Sequence, residues 1–147
     1  MLKIAFDVGG VLFEDVTFEL SAEAVMSLRL VIEKFNRENV YIISKAGPKY
    51  QRIIMERLIS CSFFEATSLK PEHVHFVLEY VEKKWKCEEL GINYMVDDHI
   101  KVVRYVSTCT DCTPIWFGAG PVNSMKTLQE EHAAASSTST SNRHTER

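Results

Sequence analysis

Three apolar runs in this sequence end in reactive side chains. Asp7 follows Leu2-Lys3-Ile4-Ala5-Phe6, Ser44 follows Val40-Tyr41-Ile42-Ile43, and the pair Asp97-Asp98 follows Ile92-Asn93-Tyr94-Met95-Val96. A lysine, Lys70, stands directly before Pro71 at the start of another apolar-periodic stretch. In a parallel α/β sheet, ligands bind outside the carboxyl ends of the strands. Three carboxylates, a hydroxyl and an ammonium are therefore expected to converge on one sheet edge. Carboxylates brought together repel one another and need a cation, and an all-oxygen donor set suits Mg²⁺.

The elements that must position these groups can be read from periodicity. Short apolar, β-branched and aromatic runs predict buried strands before Asp7, Ser44 and Asp97. A last strand is expected at Pro114-Ile115-Trp116-Phe117. Ser21 offers an N-cap, and Ala24, Val25, Leu28, Val31, Ile32 and Phe35 recur at helical spacing, which predicts a helix from Ser21 to about Glu38. Gly47-Pro48 opens a second helix with Tyr50, Ile53, Ile54 and Leu58 on one face. The segment Ser62 to Ala66 reads as a short strand. Pro71 opens a further helix with Val74, Val77, Leu78, Val81 and Trp85 on one face, and a short helix is expected from Ile100 to Val106. Strands alternating with helices predict an α/β fold: a three-layer, Rossmann-like parallel sheet with helices on both faces. Residues 1–120 are expected to form this domain, 121–135 a terminal helix, and 136–147 a disordered Ser/Thr-rich tail.

Length and composition fit that architecture. The chain has 147 residues, 46% hydrophobic and 25% charged, which is ordinary globular composition for one domain. Its net charge is −3, so it lacks the basic surplus of a typical nucleic-acid binder. No apolar run reaches the length a membrane span needs, and the N-terminus lacks the long apolar stretch of a secretory signal. A cytoplasmic location is expected. In a reducing compartment, Cys61, Cys87, Cys109 and Cys112 are expected as free thiols.

The ordered set of strand-end residues resembles the haloacid dehalogenase (HAD) superfamily of aspartyl-nucleophile phosphohydrolases. The matching motifs are Phe6-Asp7-Val8-Gly9-Gly10-Val11-Leu12, Tyr41-Ile42-Ile43-Ser44, Lys70-Pro71 and Tyr94-Met95-Val96-Asp97-Asp98, in family order over roughly residues 1–120. The resemblance implies that Asp7 is the nucleophile and a Mg²⁺ ligand, and that Gly9 offers the metal its backbone carbonyl. Ser44 would hydrogen-bond a phosphoryl oxygen, and Lys70 would neutralise the nucleophile and the phosphate. Asp98, with Asp97, would hold the metal.

One departure from the family pattern bears on turnover. The family's phosphatases place a second Asp where this chain has Gly9. That acid protonates the leaving oxygen and later activates water, help worth about 10²–10⁴ in rate. Glu14 and Asp15 are the nearest acids further along the chain. Neither the stretch from Asp7 to Ser44 nor that from Ser44 to Lys70 has room for a cap domain. A capless member with an open site often acts on phosphate presented by a macromolecule. The expected function is thus a Mg²⁺-dependent phosphohydrolase with weakened acid–base chemistry. The alternative is a catalytically impaired relative serving as a binding or regulatory module, and slow-hydrolysing phosphoryl transfer lies between the two.

The remaining motifs read as ordinary structure. Cys109-Thr110-Asp111-Cys112 precedes a strand rather than opening a helix, and lacks a second pair of zinc ligands, so its thiols read as incidental. His73 and His75 read as surface histidines. Lys45, Lys49 and Arg52, near a helix start, read as a solvated face that could also attract phosphate.

Overall fold

The computed structural model describes residues 1–9 and 20–117. Five strands and five helices follow one another: β1 (Ile4–Phe6), α1 (Ala22–Phe35), β2 (Val40–Lys45), α2 (Pro48–Ser60), α3 (Phe63–Thr67), β3 (Val74–Val77), α4 (Tyr80–Leu90), β4 (Tyr94–Asp97), α5 (Ile100–Val106) and β5 (Thr113–Trp116). The strands form one sheet in the order β3-β2-β1-β4-β5, and every neighbouring pair is parallel. This is the expected Rossmann-like α/β arrangement, and no cap domain is present among the described residues. The terminal helix expected at 121–135 and the tail expected at 136–147 lie outside the described residues, as do Glu14 and Asp15.

Alternate residues of each central strand serve opposite faces, so both faces can be covered. Ile4, Val40, Ile42 and Val96 enter one core with Leu28 and Ile32 of α1, Ile54 and Leu58 of α2 and Phe63 of α3. Ala5, Tyr41, Ile43 and Met95 enter the other with Cys87 of α4 and Val102 and Val106 of α5. The strands consequently read as continuous apolar runs rather than as alternating ones.

Helix ends follow local chemistry. The Ser21 hydroxyl accepts from the Ala24 N–H at 3.2 Å and caps α1. The helix stops at Phe35, short of the expected Glu38, because Asn36 adopts a φ of 73°. Gly91 closes α4 in the left-handed region, φ 72°, where a side chain would be strained.

Two expected elements differ. The segment 63–67 is a helix, not a strand: Ser62 and Ser68 take positive φ at its two ends, and Phe63 buries itself against helices rather than joining the sheet. The single helix expected from Pro71 is a 3₁₀ turn (Pro71–His73), then β3, then α4. Val74, Val77, Leu78 and Val81 suit a helical period, but His73-Val74-His75-Phe76-Val77 also alternates with period two. Leu78 and Trp85, assigned to the apolar stripe, are 55% and 55% exposed.

Candidate active site at the carboxyl edge

Strand β1 is central, with β2 on one side and β4 on the other, so the chain's winding reverses beside it. Such a switch point opens a crevice at the carboxyl ends of the strands. The register sets Phe6 beside Val96, and the Asp7 N–H donates to the Val96 carbonyl at 2.9 Å. Asp7 and Asp97 therefore stand level. A cavity of about 390 Å³ lies at this edge, lined among others by Asp7, Gly9, Ser44, Lys45, Lys83 and Asp98.

Asp7, Asp97 and Asp98 each offer a carboxylate oxygen within 4.8 Å of the others. Their roles separate by exposure. Asp97 is fully buried behind the cavity wall, and both of its oxygens are engaged. Oδ2 meets Lys83 Nζ at 2.6 Å, and Oδ1 accepts from the His99 N–H at 2.9 Å. Asp7 and Asp98 face the cavity. Asp7 and Asp98 thus present hard carboxylate oxygens to the cavity, the donor type a divalent cation takes, and Gly9 lines the same cavity. Asp97 fits as the residue that positions Lys83 and the turn carrying Asp98, rather than as a direct ligand.

Lys83 is the group the sequence reading missed. Its ammonium is 1% exposed at the side chain and lies 2.9 Å from Asp7 Oδ1. Burial pushes the Asp7 carboxyl up to about 6 and the Asp97 charge adds to the rise, while Lys83 pulls it down. For Lys83, burial disfavours the charge, but the Asp7 and Asp97 carboxylates outweigh it and hold its pKa above the ordinary value. The lysine is thus a fixed cation beside a partly desolvated carboxylate.

Lys70 does not reach this site, which corrects the expected placement. It precedes β3, and a residue before a parallel strand lies at the sheet's amino end, opposite Asp7. There it pairs with Glu38 at 3.6 Å. The error follows from the hidden strand: without β3, Lys70 opens the helix that approaches the carboxyl edge, whereas the helix that does so is α4, and its lysine is Lys83.

Ser44 ends where expected, 3% exposed on the cavity wall, one residue before β2 closes at Lys45. The chain then turns through Ala46 and Gly47 into α2, so the N-terminus of that helix faces the same space. At the rim, Lys45 Nζ sits 4.7 Å from the Tyr80 ring centroid, and Tyr80 stacks on His99 at 4.1 Å. Burial and the nearby Lys101 and Lys83 charges lower the His99 pKa, and its Nδ1 accepts from the Lys101 N–H at 3.2 Å. Elsewhere, His73 is not a solvated residue: it stacks on Tyr41 at 4.2 Å and places Nδ1 3.0 Å from the Val40 carbonyl.

Among the described residues no helix is long and apolar enough to cross a membrane. No family model matches the chain, and no curated protein matches it.

Proposed function

We propose that the chain transfers phosphoryl groups through Asp7 as a metal-dependent, HAD-type phosphohydrolase that turns over slowly. The observation that carries this reading is the Asp7 carboxylate, which faces the cavity beside the buried Lys83 cation at 2.9 Å. A carboxylate attacks phosphorus only where cations screen one anion from the other. Lys83 supplies one fixed positive charge, and the α2 N-terminus and Ser44 offer donors to phosphoryl oxygens. A divalent cation held by Asp7, Asp98 and the Gly9 backbone would add the remaining charge neutralisation.

In the first step an Asp7 oxygen bonds to phosphorus, the ester P–O bond breaks, and the leaving oxygen takes a proton. In the second, water attacks phosphorus, releases phosphate and regenerates the carboxylate. Both steps need a proton shuttle, and Gly9 has no side chain to provide one. The second step is the more impaired, because an aryl leaving group needs little protonation while water needs a base. Among the described residues no cap domain covers this edge, which favours a phosphate presented by a larger molecule.

The test uses an aryl phosphate with millimolar Mg²⁺, phosphate release as the readout, and mass analysis of the quenched protein. The expected result is slow release dependent on Asp7 and a phosphoryl adduct accumulating on Asp7. If Asp7→Asn releases phosphate as fast as the parent, or no adduct forms on Asp7 with any aryl or acyl phosphate, the reading fails. The missing side chain at Gly9 favours a second reading, a binding module. That reading predicts tight binding of phosphate or vanadate at this cavity without any Asp7 adduct.

A further inference from the structure

A second cavity, about 450 Å³, opens at the amino ends of β4 and β5, at the opposite end of the sheet from Asp7. Three of the four cysteines line it: Cys87 from α4, Cys109 just after α5, and Cys112 directly before β5. Cys87 is fully buried, Cys112 is 7% exposed and Cys109 is half-buried. The fold therefore gathers thiols that lie far apart in sequence, while the exposed Cys61 stays outside this cavity.

Within the group, Cys87 and Cys112 are buried members of one core cluster, and Cys109 packs against that cluster from outside. Both also line the cavity wall, Cys112 retaining slight exposure and Cys87 none. The interaction of the two thiols lowers the Cys112 pKa against the opposing effect of burial, and together with burial it raises that of Cys87 above the ordinary thiol value. Burial, with the nearby Glu88 charge, pushes the Cys109 thiol up to about 11. Two thiols of one cluster on a cavity wall, with the more accessible one shifted toward easier ionisation, differ from buried cysteines that act only as small apolar groups.

We infer that Cys87 and Cys112 form a peroxide-reactive dithiol site, with Cys112 attacking the oxidant through the cavity and Cys87 closing the disulfide. The Cys112 thiolate attacks one peroxide oxygen, the O–O bond breaks, and the departing hydroxide takes a proton to become water. Cys112 is then a sulfenic acid. The Cys87 sulfur attacks the Cys112 sulfur, the S–O bond breaks, and a second water leaves with the Cys87 proton. Two thiols are oxidised by two electrons, and one peroxide is reduced to two waters.

The pair bears on the other end of the sheet through α4. Lys83 lies one helical turn before Cys87, on the same buried face. A Cys87–Cys112 bond ties that face of the helix covalently to the start of β5.

The test treats the reduced full chain with dilute hydrogen peroxide, blocks remaining thiols, and maps the peptides. Trypsin separates 87–101 from 105–126, and cleavage before Asp111 then separates Cys109 from Cys112. The expected result is a fall from four free thiols to two, one Cys87–Cys112 cross-link, and full reversal by dithiothreitol. The parent protein alone decides the matter. In Cys112→Ser, Cys87 is expected to stay reduced under the same treatment. A Cys109–Cys112 link, oxidation confined to Cys61, or over-oxidation of Cys112 with Cys87 still reduced would each overturn the assignment.

Discussion

Lys83 shows how much a single buried charge can carry. Removing an ammonium from water is expensive, and its attraction to Asp7 and Asp97 offsets that only while both partners remain. Lys83→Met would leave two carboxylates facing each other without a counter-charge. The expected loss is about 3–5 kcal/mol, the range for breaking a buried ion pair from one side. Lys70→Ala is expected to cost less than about 1 kcal/mol, because its partner Glu38 is 61% exposed at the side chain and water screens the pair. Urea unfolding of both variants measures the contrast; equal losses would contradict the placement of the two lysines. The difference was not legible in the sequence. Lys83 stands in Glu82-Lys83-Lys84-Trp85-Lys86, which reads as a solvated helix face, and only the helix phase against Asp97 singles it out. Asp7, Ser44, Asp97 and Asp98 were legible, because each ends an apolar run whose strand character fixes where the side chain stands.

Elements were legible where one period dominated and hidden where two periods fitted. Strands β1, β2 and β4 are buried on both faces, and nothing but a strand explains such short apolar runs between helices. The stretch from Val74 to Val81 satisfied both periods, and β3 was lost in it. Helix α4 has the opposite difficulty: its buried face is Lys83 and Cys87 rather than an apolar stripe, so hydrophobic periodicity selects the wrong side. Trp85 tests this phase. As the anchor of an apolar stripe it would cost about 3–5 kcal/mol on truncation to Ala. At 55% exposure the expected loss is under about 1 kcal/mol, whereas Phe63→Ala, fully buried at α3, should lose the full core amount. The start of α4 gives a second check. Glu82 Oε1 accepts from the Leu78 N–H at 2.7 Å and the Glu79 N–H at 2.9 Å. Glu82→Ala leaves both donors to water and is expected to cost about 1 kcal/mol in the same unfolding measurement. A neutral result would mean that this cap does not hold the helix that carries Lys83.

At the scale of the whole molecule, the strand order places the gathered chemistry at two opposite ends of the sheet, one at the carboxyl ends of β2, β1 and β4 and one at the amino ends of β4 and β5. Carboxylates and a lysine meet at the carboxyl end, and thiols meet at the amino end, with α4 running beside both. At the carboxyl end three acids cluster beside the buried Lys83 ammonium, and Asp7 is held up to about 6 by burial and by Asp97. A divalent cation bound by the native state alone raises stability in proportion to the logarithm of its concentration over its dissociation constant, about 2.7 kcal/mol at a hundredfold excess. For a domain of this size, 1 kcal/mol moves the melting temperature by roughly 3–6 °C. Millimolar Mg²⁺ is therefore expected to raise the melting temperature by several degrees, and Asp98→Asn and Asp7→Asn are expected to lose most of that rise. Asp97→Asn should behave differently. Its carboxylate binds Lys83 and the His99 N–H, so this variant should melt lower even without metal while keeping part of the Mg²⁺ response. Melts of the parent and the three variants, with Mg²⁺ and with chelator, separate these roles. If the Asp98→Asn protein gains as much from Mg²⁺ as the parent, the cation does not sit at the end of β4, and the carboxylates gathered there serve only to hold Lys83.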